Sequence, residues 1–110
     1  MTYKLFLDDI RELTWVYPGA NASEWVVCRN FDDAVNTVLT RGFPSYVSFD
    51  HDLGDHDTQT GHDFAQWLVN RDLDKNVMPD DFAYTVHSAN PVGAANIKGL
   101  LDSYLRFRSK

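Results

Sequence analysis

The chain has 110 residues, of which 44% are hydrophobic, and its formal net charge at neutral pH is −6. These values predict one globular domain, residues 1–110, and argue against an extended nucleic-acid surface, which requires a basic face, while leaving open a nucleotide or RNA end held with a metal. The lone cysteine, the lack of a signal-peptide pattern and the absence of an apolar stretch of roughly 20 residues together lead us to expect a cytoplasmic protein without a membrane span.

Strands and helices alternate along the chain. The pattern predicts four strands, at residues 3–7, 25–28, 46–49 and 82–86. It predicts a helix after each of the last three strands, capped by Asn30, by a capping box at Thr60 and by Asn90. Segment 10–24 is predicted to be mostly loop, with room for one helical turn at its start. The 10–24 segment contains a Pro-Gly pair and has no sustained helical period, which is why we predict loop there.

This alternation predicts a parallel sheet with crossover helices. In such a sheet, ligands bind outside the carboxyl ends of the strands. Polar and ionisable residues directly follow three of the predicted strands: Asp8 and Asp9; Asp50, His51 and Asp52; His87, Ser88 and Asn90. We expect these three groups to converge at one edge of the sheet and to form one site.

The aspartates of this edge predict a metal site. Like charges held close together repel each other, so their clustering indicates a cation or a site of chemistry. Carboxylate oxygens suit a hard divalent cation, Mg²⁺ first, with Mn²⁺ or Zn²⁺ as alternatives. Asp9 and Asp50 are predicted to be the main ligands, and Asp8 and Asp52 to support them.

The two histidines of this edge, His51 and His87, have two possible functional roles. They could ligate a transition metal, or they could act as general acid and base in phosphodiester cleavage, in which case Asp50 is counted with them as catalytic. Ser88 and Asn90 are predicted to hold a phosphate oxygen, aided by the N-terminus of the last helix. Arg11 is assigned to the same substrate-binding group.

These residues also have purely structural interpretations. Asp8 and Asp9 could simply end a strand, and His87 could be a hydrogen-bonded histidine at a strand end. Other residues are assigned to structure alone: Cys28, Trp15 and Trp25 to packing, His62 and Asp63 to helix capping, residues 55–57 to a solvated loop, and Lys98, Arg106, Arg108 and Lys110 to the helix dipole and a solvated tail.

Two segments resemble the response-regulator receiver fold: "LFLDDIR" and "YVSFDHDLG". The resemblance implies that Asp8 and Asp9 form the acidic pair that holds Mg²⁺. It places Asp50 at the phosphoacceptor position, and Ser88 or His87 at the hydroxyl position after the fourth strand. The chain departs from ordinary receivers in its eroded first helix, in the missing fifth strand with its lysine, and in the added histidines.

With these departures, the chain resembles a narrower branch of the receiver fold, the cyclic-phosphate-processing receiver-like domains. Four segments resemble that family's motifs in order: "LFLDDIR", "SFDHDLG", "TGHDFAQWL" and "VHSANPVGAANI". The resemblance implies a receiver-like (flavodoxin-like) three-layer α/β fold with a four-stranded, mostly parallel sheet of order 2-1-3-4. It also implies a metal-assisted phosphoesterase that processes cyclic phosphates of nucleotides or RNA ends, in a bacterial or phage-infected cell.

Two further functions stay open at the level of sequence. The first is a non-enzymatic binding module that uses the receiver-like scaffold for a nucleotide signal or a protein partner. The second is a true phosphoacceptor at Asp50. The missing receiver lysine speaks against the second, because that residue normally couples phosphorylation to a change of shape.

Overall fold

A computed structural model of the chain describes residues 2–54 and 58–109. The strands are β1 (Lys4–Leu7), β2 (Trp25–Cys28), β3 (Tyr46–Phe49) and β4 (Ala83–Val86). The helices are α1 (Leu13–Val16), α2 (Phe31–Arg41), α3 (Gly61–Lys75) and α4 (Pro91–Arg108), with one 3₁₀ turn at Ala22–Glu24. The 10–24 segment is mostly loop with one turn of α-helix near its start, as predicted, whereas the 3₁₀ turn at its end was not predicted.

The four strands form one parallel sheet in the order β2-β1-β3-β4. Phe6 in β1 lies opposite Val27 of β2 and Ser48 of β3, and Phe49 of β3 lies opposite Val86 of β4. The predicted order 2-1-3-4 is therefore confirmed. Since all strands run in the same direction, their carboxyl ends lie along one edge.

Alternation along the strands separates two faces of the sheet. One face carries the apolar side chains Leu5, Leu7, Val47 and Phe49, which belong to the hydrophobic core. Helix α2 packs against α3, and α3 packs against α4, so these three helices cover that face together. The burial of these side chains, at about 25 cal/mol per Å² of apolar surface, is the main force that holds the layers together.

The opposite face of the sheet is covered by the short α1 segment. Tyr17, which follows α1, lies with its ring centroid 6.4 Å from that of Phe6 and 5.1 Å from that of Trp25. The Trp25 ring in turn contacts Tyr46. This thin aromatic cover is the third layer of the fold, and it replaces the helix that was expected to be eroded.

All three predicted helix caps are present. The side chains of Asn30, Thr60 and Asn90 each accept a hydrogen bond from the backbone N–H three residues further along. Asp63 completes the capping box by accepting from the backbone N–H of Thr60, at 2.8 Å. These caps fix where each helix begins and therefore where its first turn meets the carboxyl edge of the sheet.

Some predictions about single residues were wrong. Strands β1 and β4 begin one residue later than predicted, at Lys4 and Ala83. Before β4, the backbone N–H of Phe82 donates to the Pro79 carbonyl and closes a turn. Trp15 is 68% exposed and does not pack in the core, whereas Trp25 and Cys28 do pack as predicted. Residues 55–57 lie outside the described part of the chain.

Arg108 was also assigned wrongly to a solvated tail. Its Nε donates to Asp72 Oδ2 at 2.7 Å, and its Nη2 donates to the carbonyl of Met78 at 3.0 Å. The Tyr104 hydroxyl donates to the same Asp72 carboxylate. This network ties the end of α4 to α3. Among the described residues, no helix is both long and apolar enough to cross a membrane.

Candidate active site

Three carboxylates from two strand ends meet at the carboxyl edge of the sheet. Asp8 and Asp9 follow β1, and Asp50 follows β3. One oxygen from each of the three lies within 4.8 Å of the others. Asp8 and Asp50 are buried and Asp9 is half-buried. We call these three residues the acidic centre; the structure brings them together as the parallel topology predicts.

Asp8 is held by four hydrogen bonds. Its Oδ1 accepts from the backbone N–H groups of Ile10 and Arg11, at 2.9 and 2.8 Å. Its Oδ2 accepts from Arg11 Nη1 at 3.0 Å and interacts with His87 Nε2 at 2.9 Å. Burial raises the pKa of Asp8, but these donors outweigh burial and bring the pKa below its usual value. Because a carboxylate offers about four lone-pair sites, Asp8 is fully occupied.

Asp50 has far less compensation for its charge. It has a hydrogen bond with Ser88, and the nearest guanidinium nitrogen, Arg11 Nη1, is 3.7 Å away. Burial and the neighbouring charge of Asp8 raise the pKa of Asp50 to about 6. A proton or a cation would relieve this unfavourable charge. The Asp9 carboxylate accepts no hydrogen bond among the described residues, and Asp50 is bonded by Ser88, so these two carboxylates have more room for a ligand than Asp8.

His87 is enclosed by the protein. Its Nε2 faces Asp8 Oδ2 at 2.9 Å, and its Nδ1 lies 2.7 Å from Ser48 Oγ. Its ring stacks on Phe6, with centroids 4.8 Å apart and planes inclined by 4°. Burial lowers the pKa of His87. Both ring nitrogens are engaged, so the predicted acid–base role of His87 would require one of these bonds to open.

His51 has one ring nitrogen engaged and one available. Its Nδ1 lies 2.9 Å from Asp52 Oδ1, and its Nε2 has no hydrogen-bond partner among the described residues. The ring lies against Gly93 of α4, where a β-carbon would be only 2.3 Å from His51 Cγ. Asn90 Nδ2 also approaches Asp52 Oδ1, at 3.5 Å. Asp52 therefore orients His51 and is not a member of the acidic centre; its predicted role as a metal ligand stays a prediction.

Ser88 and Asn90 lie between the acidic centre and the His51–Asp52 pair. Ser88 Oγ accepts from the backbone N–H of Asn90 at 3.1 Å and has the hydrogen bond with Asp50. Asn90 Oδ1 accepts from the backbone N–H of Gly93 as the cap of α4. Ser88 thus contacts the acidic centre and Asn90 caps α4, and the phosphate-binding role predicted for them stays a prediction.

Two basic residues organise the loop after β1. Arg11 lies between Asp8 and Asp50 and keeps 30% of its side chain exposed, so it can reach a ligand. Arg29 Nη1 donates to the carbonyl of Arg11 at 2.6 Å and to that of Asp8 at 3.3 Å. Sequence reasoning missed Arg29, although it directly follows β2 and so lies at the same edge as the acids.

The remaining residues that sequence reasoning missed contact the site indirectly. Ser48 is buried within β3 and reaches His87, and Tyr17 reaches Ser48 at 2.8 Å from the segment after α1. A polar residue inside an apolar strand was the available signal for Ser48. No pattern pointed to Tyr17, because it lies in a segment without periodicity. Gly61 permits the close approach of α3, since a β-carbon there would lie 1.9 Å from the Asp50 carbonyl oxygen.

Comparisons with known proteins agree with this architecture. A solved structure described as a fusion with the yeast Spc42 trimeric coiled coil is similar, with a TM-score of 0.60 over 98% of this chain and 81% of that chain, at 13% identity. That likeness concerns the fold alone. No curated protein sequence is significantly similar to the chain. Residues 3–103 match the family model described as the cyclic-phosphate processing receiver domain. The chain therefore belongs to the family of cyclic-phosphate processing receiver domains.

Proposed function

We propose that the chain is a metal-assisted phosphoesterase that acts on the cyclic phosphate of a nucleotide or an RNA end. The observation that carries the proposal is the acidic centre, in which oxygens of Asp8, Asp9 and Asp50 lie within 4.8 Å of one another. Burial raises the pKa of Asp50, so its ionised carboxylate is poorly stabilised by the protein and would be stabilised by a bound cation. Membership of the family supports the cyclic-phosphate part of the proposal.

The donor set fits a hard divalent cation, Mg²⁺ or Mn²⁺. All available ligand atoms of the acidic centre are oxygens, and both nitrogens of the adjacent His87 are engaged, which disfavours Zn²⁺. Asp9 and Asp50 would hold the ion, and Asp8 would join them if Arg11 released its Oδ2. When bound, such a cation supplies polarisation of a phosphoryl oxygen and a lower pKa for a bound water.

Arg11 is suited to bind the phosphate of the substrate. A guanidinium matches the oxygens of a phosphate through paired hydrogen bonds. Arg11 already lies at the acidic centre, and its partial exposure lets it turn from the carboxylates to an incoming anion. Ser88 and Asn90, at the N-terminus of α4, would orient the same phosphate.

His51 is the residue best placed to transfer a proton. Asp52 engages Nδ1 and so leaves Nε2 to face a reacting oxygen, which is the arrangement of a histidine that acts as general acid or base. Packing against Gly93 limits the positions of the ring. His87 as the second member of the acid–base pair stays a prediction, since its two nitrogens bind Asp8 and Ser48.

The direct test is hydrolysis of 2′,3′-cyclic nucleotides with Mg²⁺, with Mn²⁺ and with a chelator. We expect metal-dependent turnover that falls about 10²-fold or more in His51→Asn and in Asp50→Asn. The control is His62→Asn, because His62 of α3 makes no described hydrogen bond to a site residue. Metal binding without turnover on any cyclic nucleotide would contradict the proposal. In that case, tight binding of a nucleotide that is recovered unchanged would identify the binding module instead.

A further inference from the structure

A continuous chain of hydrogen bonds runs from Asp8, at the carboxyl edge, along the face of the sheet that the α1 segment covers. His87 Nε2 lies 2.9 Å from Asp8 Oδ2, and His87 Nδ1 lies 2.7 Å from Ser48 Oγ. From Ser48 the chain continues to the Tyr17 hydroxyl at 2.8 Å and then to Thr85 Oγ1 at 2.6 Å. These links join the ends of β1 and β4, the interior of β3 and the segment after α1.

The hydrogen bonds of this chain all donate towards Asp8. Asp8 is an ionised carboxylate held by Arg11, so it accepts and His87 Nε2 must carry a hydrogen. In the neutral imidazole Nδ1 is then an acceptor, and Ser48 must donate to it. Each hydroxyl has one hydrogen, so Tyr17 donates to Ser48 at 2.8 Å and Thr85 donates to Tyr17 at 2.6 Å. Thr85 Oγ1 also lies 3.4 Å from Ser48 Oγ, and this longer contact competes for the same Thr85 hydrogen without changing the direction towards Ser48.

The far end of the chain follows the same direction. Thr85 Oγ1 uses its hydrogen on Tyr17 and accepts from the Tyr46 hydroxyl at 3.0 Å. From Tyr46 to Asp8, each group thus donates its hydrogen to the next group on the way to the acidic centre. A ring in the other tautomer would put an Nδ1 hydrogen against Ser48 and a lone pair against the Asp8 carboxylate.

Aromatic packing keeps the chain in place. The His87 ring is parallel to Phe6 at 4.8 Å, and the Tyr17 ring meets Phe6 edge-on while it stacks on Trp25. Ser48 is completely buried, so its hydroxyl requires partners within the protein. The short segment after α1 therefore supplies a specific hydroxyl to the site as well as covering the sheet.

We propose that Ser48 and Tyr17 are positioning residues that hold His87 with its hydrogen on Nε2, as a fixed donor to Asp8. Through His87 they orient the Asp8 carboxylate within the acidic centre. The part of this inference that concerns metal affinity rests on the proposed function, whereas the tautomer is a property of the free protein. Outer partners of this kind typically change metal affinity by about tenfold or more when they are removed.

Side-chain ¹⁵N NMR at pH 8, where an imidazole is neutral, reads the tautomer directly. The His87 resonances are assigned by their loss in His87→Asn. We expect a hydrogen on Nε2 and a hydrogen-bonded, unprotonated Nδ1, whose shift moves to the unbonded position in Ser48→Ala and returns in Ser48→Thr. A hydrogen on Nδ1 in the wild-type protein would overturn the inference, whatever the metal does.

Mn²⁺ titration calorimetry of the same variants tests the consequence for the acidic centre. We expect about tenfold weaker binding in Ser48→Ala, recovery in Ser48→Thr and a smaller loss in Tyr17→Phe, which keeps the ring but removes the hydroxyl. Tyr84→Phe is the matched control, because Tyr84 hydrogen-bonds to Asp102, outside this chain. Equal affinities in the wild type, Ser48→Ala and Tyr17→Phe would overturn the positioning role. If the wild-type protein bound no metal, the proposed function would be refuted. If the same protein showed the hydrogen on Nε2, the inference about the tautomer would still be supported.

Discussion

Replacing Asp50 by asparagine should stabilise the metal-free protein at neutral pH and leave its stability almost unchanged at pH 4. Burial and the charge of Asp8 raise the pKa of Asp50 from 3.8 to about 6. The folded protein therefore keeps a proton that the unfolded chain releases between these two pH values. Its stability falls as pH rises through that window, because the folded state must then hold a poorly compensated charge.

The size of the effect follows from the shift. A shift of about two pKa units corresponds to about 3 kcal/mol of unfolding free energy at pH 7 and above. Asparagine removes the charge and keeps an oxygen that can accept from Ser88. The loss of the 3.7 Å pairing with Arg11 is already included, because that charge acts to lower the pKa.

Urea denaturation in the presence of a chelator, at pH 4 and at pH 7.5, measures this directly. We expect the free energy of unfolding of Asp50→Asn to exceed that of the wild type by about 3 kcal/mol at pH 7.5 and by almost nothing at pH 4. A variant that is less stable than the wild type at pH 7.5, or a difference that does not change with pH, would refute the reasoning.

Asp72→Asn provides a control with the opposite sign. Asp72 is also buried, but Tyr104, Arg108 and the Met78 backbone donate to it, and these bonds bring its pKa below the usual value despite burial. Its carboxylate therefore stabilises the fold above the unfolded-state pKa, and this contribution is lost as pH falls. We expect Asp72→Asn to cost about 3 kcal/mol at pH 7.5 and less at pH 4.

Two further substitutions test how the site is assembled. In Gly93→Ala the new β-carbon would lie 2.3 Å from His51 Cγ, so the ring must move, and turnover of a cyclic nucleotide should fall about 10²-fold while the fold persists. Gly99→Ala in the same helix meets no atom within 4 Å, and we expect unchanged turnover and up to about 1 kcal/mol of added stability. Arg29→Met removes the donor to the backbone carbonyls of Asp8 and Arg11, and calorimetry should show about fivefold weaker Mn²⁺ binding with little change in circular dichroism.

The position of the site could be predicted from sequence because it follows from topology. Acids directly after two apolar runs become neighbours once the sheet is parallel, and the capping residues fix the helix starts that flank them. The family resemblance adds the strand order, which local patterns do not determine, and the structure agrees with it.

The division of roles within the site could not be predicted in the same way. Asp8 and Asp50 both follow strands, yet among the residues that the structure describes Asp8 has four donors, whereas Asp50 has one hydrogen bond and a guanidinium nitrogen 3.7 Å away. This difference depends on side-chain directions and on the path of the loop after β1. His51 and Asp52 likewise pair with each other instead of joining the acidic centre, although they directly follow Asp50 in the sequence.

The structure shows His87 as a hydrogen-bonded histidine at a strand end, and its acid–base role stays a prediction. The sequence shows a histidine after a strand, and it contains no sign that Ser48 and Phe6 will enclose the ring. The position of Tyr17 could not be predicted for a related reason, since a loop without periodicity gives no information about where its side chains lie.

Binding of Mn²⁺ to the chelator-treated protein, followed by calorimetry at pH 7.5 and at pH 5, tests the central claim that the acidic centre holds a divalent cation. We expect the wild type to bind one equivalent of Mn²⁺ at pH 7.5. Binding should be weaker at pH 5, because protons then compete for Asp50, whose pKa is about 6. The site should be lost in Asp9→Asn and in Asp50→Asn. No binding by the wild type at millimolar Mn²⁺, or the same affinity in Asp9→Asn and Asp50→Asn as in the wild type, would contradict it.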